Sequence, residues 1–189
     1  MKLLLHACCA PCSVYPVDML RNEGIEPTLY WFNPNIHPYM EYRTRRETLR
    51  EYSLMMNLEF IIDDCYGLDE FCKNVVGNLN SRCVDYCYPV RLRRLFEFAR
   101  DNGYDAVSST LLYSIYQKHE FIKKYMEKLS LEFGIEFVYR DFRVGFREGQ
   151  AKARELGLYM QKYCGCVFSE EDRYQDKIEK DKKKYNLTC

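Results

Sequence analysis

The chain has 189 residues, of which 47% are hydrophobic and 30% are charged, and its 28 basic and 28 acidic residues cancel. This length suits one domain with its own apolar core, and the charge balance excludes a protein that attracts nucleic acid over its whole surface, so any basic surface must be local. No apolar run is long enough to span a bilayer, and the run at residues 2–9 is too short for a secretory signal, so we expect a cytoplasmic protein without a membrane partner.

Strands and helices alternate along the chain. Apolar runs predict strands at 2–9, 28–33, 58–62, 104–109 and 135–139. Helical periodicity and boundary residues predict helices at 12–23, 40–56, 89–102, 119–133 and 148–158. Such alternation favours a single α/β domain with a parallel sheet flanked by helices. We place this domain at residues 1–169 and expect a charged, helical tail over 170–189.

Ten cysteines are the most unusual feature of the composition. A chain that can build its own core and stays reduced needs no disulfide framework, so thiols at short spacings indicate metal or redox chemistry. Seven of them fall into three groups, which are Cys8, Cys9 and Cys12, then Cys83 and Cys87, then Cys164 and Cys166. The other three, Cys65, Cys72 and Cys189, have no neighbour at a useful spacing, and we interpret them as packing or surface residues.

The first group lies where a strand meets a helix. Cys12 falls in the first turn of the predicted helix, where free N–H groups and the helix dipole stabilise thiolates. Adjacent side chains of an extended strand point to opposite faces. Cys8 and Cys9 are therefore predicted to serve two neighbouring centres rather than one ion.

The other two groups also suit ligands. The four-residue spacing of Cys83 and Cys87 places both thiols on one side of a helical turn, and Gly165 lets the backbone around Cys164 and Cys166 approach a cluster closely. Sites in parallel sheets form beyond the carboxyl ends of the strands, so we expect all three groups to meet at one edge. A 4Fe–4S cluster takes four of the seven thiols and leaves three for a separate ion.

Five motifs together resemble those of the QueH epoxyqueuosine reductases. They are His6-Ala7-Cys8-Cys9-Ala10-Pro11-Cys12-Ser13; Arg82-Cys83 with Cys87 and Arg91-Leu92; Ser109-Thr110-Leu111-Leu112 with Ser114; Asp141-Phe142-Arg143 with Gly145-Phe146; and Tyr159 with Gln161-Lys162-Tyr163-Cys164-Gly165-Cys166 and Ser169. The resemblance runs from residue 2 to about residue 169. It departs from the family in the middle motif, where three residues separate the two cysteines instead of two.

The resemblance implies a fold related to adenine-nucleotide hydrolase-like (HUP) domains. It implies a 4Fe–4S cluster beside a mononuclear iron, tRNA carrying epoxyqueuosine at the wobble position as substrate, and an external electron donor. The reaction would be a two-electron, two-proton removal of the epoxide oxygen. The predicted cluster ligands come from Cys8, Cys9, Cys83, Cys87, Cys164 and Cys166, and the predicted metal ligands are these six together with Cys12.

Further residues are candidates for protons and for tRNA. Asp141, Tyr113 and His119 are candidate catalytic proton donors, although an arginine partner, core packing and a helix start respectively would also explain them. Local basic clusters could contact phosphates, and a flipped base could stack on an aromatic side chain. The residues concerned are Arg43, Arg45 and Arg46; Arg91, Arg93 and Arg94; Lys182, Lys183 and Lys184; and Trp31.

Two other classes of function stay open. The segment Cys9-Ala10-Pro11-Cys12 resembles a redox Cys-x-Pro-Cys at a helix start, which is typical of thiol–disulfide oxidoreductases. A structural zinc site would instead make the chain an RNA-binding module without catalysis. The extra Cys8 and the four later thiols disfavour the first alternative, and the cysteine spacing disfavours the second.

Overall fold

The computed structural model describes residues 1–186, so Cys189 and the end of the predicted tail lie outside the described residues. One fully parallel sheet has the strand order β3-β2-β1-β4-β5. Its strands are Leu3–His6 (β1), Pro27–Trp31 (β2), Phe60–Ile62 (β3), Ala106–Ser109 (β4) and Glu136–Phe137 (β5). The predicted α/β class is confirmed. Since β1 lies between β2 and β4, the strand order reverses at β1, and parallel sheets bind ligands at such a position.

Helices cover the sheet. They are Ala10–Asn22 (α1), Tyr39–Met55 (α2), Leu68–Val75 (α3), Tyr88–Asp101 (α4), His119–Phe133 (α5), Phe146–Glu155 (α6) and Val167–Tyr185 (α7). The sequence did not predict α3, which buries only Phe71 and Val75. No side chain of α7 is buried, and the division of the chain at residue 169 stays a prediction. Within residues 1–186, no helix has the length and apolar character needed to cross a membrane.

Buried polar contacts join the carboxyl ends of the central strands. Every residue of β1, β2 and β4 is buried, as expected for strands covered by helices on both faces. A polar side chain in such a strand needs a partner. His6, the last residue of β1, has one ring nitrogen 3.1 Å from the Ser109 hydroxyl of β4 and the other 3.2 Å from the Phe32 carbonyl. These contacts tie three strand ends together at the reversal point.

Candidate metal centre and cavity

Three thiols meet in the segment that leads from β1 into α1. The Sγ atoms of Cys8, Cys9 and Cys12, which we call the cysteine triad, all lie within 4.8 Å of one another. The strand ends at His6, and Cys9 is the extended N-cap residue of α1. The prediction that Cys8 and Cys9 point to opposite faces is therefore wrong, because the two residues follow the strand instead of belonging to it.

The triad has the spacing of ligands to one metal ion. A tetrahedral ion with thiolate bonds of about 2.3 Å holds its sulfur atoms about 3.8 Å apart. The Cys8 and Cys9 Sγ atoms are 3.8 Å apart. Thiolates on different iron atoms of a 4Fe–4S cluster lie further apart, because iron and sulfide atoms stand between them. Three protein ligands also leave one position open, as catalytic metal sites require.

Proton sharing concentrates negative charge on one member of the triad. Hydrogen bonds from Cys12 and Cys9 lower the pKa of Cys8 well below its ordinary value. Burial raises the pKa of Cys9, and the bonds to Cys8 and Cys9 raise the pKa of Cys12. These shifts favour ionisation of Cys8 over ionisation of Cys9 and Cys12, and the thiolate is the form that ligates metals.

A buried arginine lies behind the triad. Arg45 of α2 is 2% exposed, and its Nε donates to Glu41 at 2.7 Å. Its two terminal nitrogens donate to the main-chain oxygens of Cys164 and Tyr163, both at 2.9 Å. Burial lowers the pKa of Arg45, but the charges of Cys9 and Glu41 outweigh burial and raise it overall. Arg45 thus supplies a fixed positive charge beside the triad and anchors the 163–164 segment.

The remaining grouped cysteines form a second thiol set. Cys83 and Cys87 occupy a π-turn before α4, whose wide i to i+5 hydrogen bonding accommodates their four-residue spacing. A hydrogen bond from Cys87 lowers the pKa of Cys83 to about 6. Cys87 and Cys166 pack in one apolar cluster with Phe71, and Cys83 and Cys164 interact electrostatically. Among residues 1–186, the triad is the only group of three His, Cys, Asp or Glu ligand atoms that lie within 4.8 Å of one another, so the second thiol set is more widely spaced.

A cavity of about 850 Å³ opens beside the triad. Cys8, Cys12 and Cys164 line it, so the first and third cysteine groups face the same space. Its charged lining residues are Arg45, Arg154, Lys162, Arg173 and Asp172. Because Asp172 is paired with Arg82, the exposed charge at the cavity is basic. The overall neutral chain therefore has the local basic surface that its composition permits.

None of the three predicted proton donors is among the lining residues of the cavity. Tyr113 is fully buried, donates to a carbonyl at the start of α6 at 2.9 Å, and has its pKa raised to about 12, mainly by burial. Asp141 forms an ion pair with Arg143 at 2.7 Å, which lowers the pKa of that carboxyl. His119 lies 3.1 Å from the Tyr139 hydroxyl, and burial lowers its pKa. Their catalytic roles stay predictions.

Burial overturns part of the predicted tRNA surface. Trp31 is fully buried and donates to a tyrosine hydroxyl, so it cannot stack on a base. Arg45 and Arg91 are 2% and 3% exposed, so neither can contact phosphate. Three other arginines of these clusters, Arg46, Arg93 and Arg94, form ion pairs with acidic residues. Of the ungrouped cysteines, Cys65 is exposed and Cys72 packs against the second apolar cluster, as predicted.

Two polar residues that the sequence did not single out contact the triad. Thr110 Oγ1 accepts a hydrogen bond from the Cys8 main chain at 3.1 Å and donates to the Cys8 sulfur at 3.5 Å. Gln161 Nε2 donates to the sulfurs of Cys9 and Cys12 at 2.9 and 3.5 Å. Both lie inside the motifs that carry the family resemblance, and this was the signal that could have found them.

Two solved structures share this fold. The U34-tRNA thiolase NcsA from Methanococcus maripaludis, solved with its [4Fe-4S] cluster, superposes with a TM-score of 0.59 at 16% identity over 96% of this chain and 67% of its own. The predicted tRNA methyltransferase subunit from Methanocaldococcus jannaschii superposes with a TM-score of 0.51 at 12% identity over 82% and 74% of the two chains. These two structures confirm the predicted fold, and fold and site together define an α/β protein with three thiols placed so that they could hold one metal ion.

Sequence similarity identifies the family within this class. The profile of the epoxyqueuosine reductase QueH family matches residues 3–172. QueH of Dehalococcoides mccartyi is 40% identical over 173 residues, which are 92% of this chain and 94% of that protein. QueH of Acinetobacter baylyi is 33% identical over 181 residues, covering 90% and 81% of the two chains. The chain belongs to the epoxyqueuosine reductase QueH family.

Proposed function

We propose that this protein acts on tRNA carrying epoxyqueuosine at the wobble position and converts the epoxide to an alkene. Two electrons and two protons are consumed, and the epoxide oxygen leaves as water. The observation that carries the proposal is the cysteine triad facing a basic cavity in a chain of this family. Such a substrate would place the protein in the cytoplasm.

The seven thiols match two cofactors in number, and the triad also matches a single metal ion in spacing. The second thiol set has the four cysteines that a 4Fe–4S cluster requires, and NcsA carries such a cluster on the same fold. The triad has three cysteines at the spacing of a single ion and would hold the separate iron. When bound, the cluster supplies single electrons and the iron supplies Lewis acidity for the epoxide oxygen. An external donor must provide both electrons of each turnover.

The protein residues around the cavity would bind and orient the nucleoside. About 300–1,000 Å³ is typical of sites for small ligands, so the volume of about 850 Å³ accommodates a flipped nucleoside. Tyr116 lines the cavity, is 82% exposed and contacts Phe146 edge-on, which leaves its ring available for stacking. Arg154, Lys162 and Arg173 line the same cavity and would contact phosphates.

Tyr113 is the best placed of the three candidate proton donors. Its hydroxyl donates to the main-chain oxygen of Phe146, a residue that lines the cavity, and the Cys12 and Cys9 thiols contribute to its raised pKa. Its pKa of about 12 keeps the hydroxyl protonated at neutral pH, as a donor requires. Asp141 and His119 have partners away from the cavity lining and would act only through other groups.

Anaerobic purification and assay test these assignments together. The unmodified chain should contain iron and acid-labile sulfide and should consume epoxyqueuosine in tRNA with a chemical reductant. Cys166→Ala should lose sulfide, the cluster iron and activity, whereas Cys9→Ala should retain sulfide and the cluster iron and lose only the separate iron and activity. Cys65→Ala, which removes an exposed cysteine outside both sets, is the matched control.

Three results would contradict the proposal. A colourless zinc protein without sulfide would favour a structural zinc module, and disulfide exchange without iron would favour a thiol–disulfide oxidoreductase. Equal loss of sulfide in Cys9→Ala and Cys166→Ala would show that the triad and the second thiol set do not hold separate cofactors.

A further inference from the structure

Gln161 contacts the triad through one edge of its amide. Its Nε2 lies 2.9 Å from the Cys9 sulfur and 3.5 Å from the Cys12 sulfur. A thiolate can only accept hydrogen bonds, so the N–H edge of the amide is the edge that suits a metal-binding thiolate. The side chain therefore bridges two of the three predicted ligands to the separate metal ion.

The other edge of this amide has no partner. The Gln161 Oε1 atom is buried and accepts no hydrogen bond within the described residues. A buried acceptor without a donor destabilises the folded state, and an apolar side chain of similar length would avoid this loss. The amide is therefore poorly explained by stability, and its use must lie in the N–H groups on the sulfurs.

A second glutamine at the same cavity shows the contrast. Gln117 donates to the Cys164 sulfur at 3.4 Å, and its Oε1 accepts a hydrogen bond from the Tyr88 hydroxyl at 2.7 Å. Both edges of Gln117 are satisfied, so this residue stabilises its surroundings as well as contacting a thiol. Gln117 provides a matched control for Gln161.

We propose that Gln161 is a positioning residue for the metal ion of the triad, which it serves by fixing the Cys9 and Cys12 sulfurs and dispersing their negative charge. This inference rests on one part of the proposed function, which is that the triad binds a metal ion. Groups that hold metal ligands in place contribute to affinity, and hydrogen bonds to sulfur tune the metal they ligate. Without the amide, the two thiolates lose their shared donor and can rotate away from the ligating position.

Co²⁺ titration of the full-length, metal-free chain tests this inference directly. Thiolate-to-Co²⁺ absorption would be followed anaerobically against a competing chelator, and the part of the band that Cys9→Ala abolishes reports the triad. Gln161→Met should lower the affinity of that site about 10- to 100-fold. The melting temperature of the metal-free Gln161→Met chain should stay unchanged or rise, because the unpaired acceptor is gone.

Gln117→Met should behave in the opposite way. Its metal-free chain should melt at a lower temperature, because the Tyr88 hydroxyl loses its acceptor, while Co²⁺ affinity at the triad stays within about threefold of the unmodified chain. Wild-type Co²⁺ affinity in Gln161→Met, together with a lower melting temperature, would reduce Gln161 to a packing residue and overturn the inference. Absence of any Cys9-dependent band in the unmodified chain would also overturn it.

The two proposals fail in different experiments. If the unmodified chain does not consume epoxyqueuosine but Gln161→Met still weakens Co²⁺ binding, the proposed reaction is wrong and the role of Gln161 stands. If the chain consumes epoxyqueuosine and Gln161→Met binds Co²⁺ as the unmodified chain does, the proposed reaction stands and the role of Gln161 is wrong.

Discussion

Thr110 and Cys8 join the ends of two neighbouring strands across the point where the strand order reverses. The Thr110 hydroxyl accepts from the Cys8 main-chain N–H at 3.1 Å and donates to the Cys8 sulfur at 3.5 Å. Thr110 directly follows β4, and Cys8 follows β1 by two residues. One hydroxyl thus contacts both the backbone and the sulfur of Cys8, the triad residue whose thiol has a lowered pKa.

Thr110→Val keeps the shape of the side chain and removes both hydrogen bonds. The Cys8 N–H then lacks its acceptor, so the free energy of unfolding should fall by about 1–3 kcal/mol. Cys12 and Cys9 lower the pKa of Cys8 more than Thr110 does, so the pKa should stay lowered while the sulfur is held less firmly. Metal content per chain should fall, as measured by elemental analysis. Thr110→Ser restores the hydroxyl and should restore both quantities; failure of that rescue would contradict this role.

Removing the buried charge of Arg45 should affect two segments at once. Arg45→Met leaves Glu41 without its ion pair and frees the main-chain oxygens of Tyr163 and Cys164. Loss of one partner of a buried pair costs about 3–5 kcal/mol, which chemical denaturation would measure. Hydrogen exchange over residues 160–166 should accelerate in parallel. Arg43→Met, on the exposed face of the same helix, should change neither; equal effects of both substitutions would refute the anchor.

The sequence predicts the fold best where burial is complete. The strands β1, β2 and β4 are apolar runs because both of their faces are covered, and α5 has the predicted bounds because its apolar stripe is regular. The helix α3 escaped prediction because only two of its eight residues are buried. The local hydrophobic pattern therefore predicts a helix or strand only where that element packs against the core along its whole length.

The sequence predicted which cysteines form the site better than it predicted how their side chains are arranged. The spacing of the cysteines selected the triad, but the place where β1 ends decides how Cys8 and Cys9 point, and pairing with β2 and β4 sets that end. From the sequence, Arg45 was predicted to lie on the surface with Arg43 and Arg46. Apart from Glu41, its partners are main-chain oxygens 118 and 119 residues away, so no local pattern could reveal its burial. Gln161 is likewise defined by contacts across more than 140 residues.

The imidazole of His37 should make stability depend on pH. Both ring nitrogens are buried and form no hydrogen bond with residues 1–186, and burial, opposed by a smaller effect of the Pro34 carbonyl, lowers the pKa from 6.5 to about 4. The unfolded chain takes up a proton as the pH falls through 6.5, whereas the folded chain does so only near pH 4. The contribution of His37 therefore makes the free energy of unfolding fall between pH 6.5 and about 4 and leaves it constant above pH 6.5.

His37→Leu should flatten that part of the pH profile in urea unfolding experiments, and at neutral pH the variant should be at least as stable as the unmodified chain. His119→Leu is a comparison for neutral pH only: one ring nitrogen of His119 lies 3.1 Å from the Tyr139 hydroxyl, so its replacement should lower stability at that pH. A pH profile of His37→Leu parallel to that of the unmodified chain would contradict the assignment.

Tyr116 should contribute to tRNA binding through its ring and not through its hydroxyl. It is 82% exposed at a cavity with a basic lining, and stacking of one base on an aromatic ring contributes about 1–3 kcal/mol. Tyr116→Ala should therefore raise the Kd for substrate tRNA about tenfold in filter binding, whereas Tyr116→Phe should bind as the unmodified chain does. Leu131→Ala removes a side chain that is 88% exposed on α5, away from the cavity, and should leave the Kd unchanged.

Since an exposed tyrosine contributes little to folding, the free energy of unfolding of both Tyr116 variants should lie within about 0.5 kcal/mol of that of the unmodified chain. Equal tRNA affinity in Tyr116→Ala and Tyr116→Phe would mean that the base stacks elsewhere.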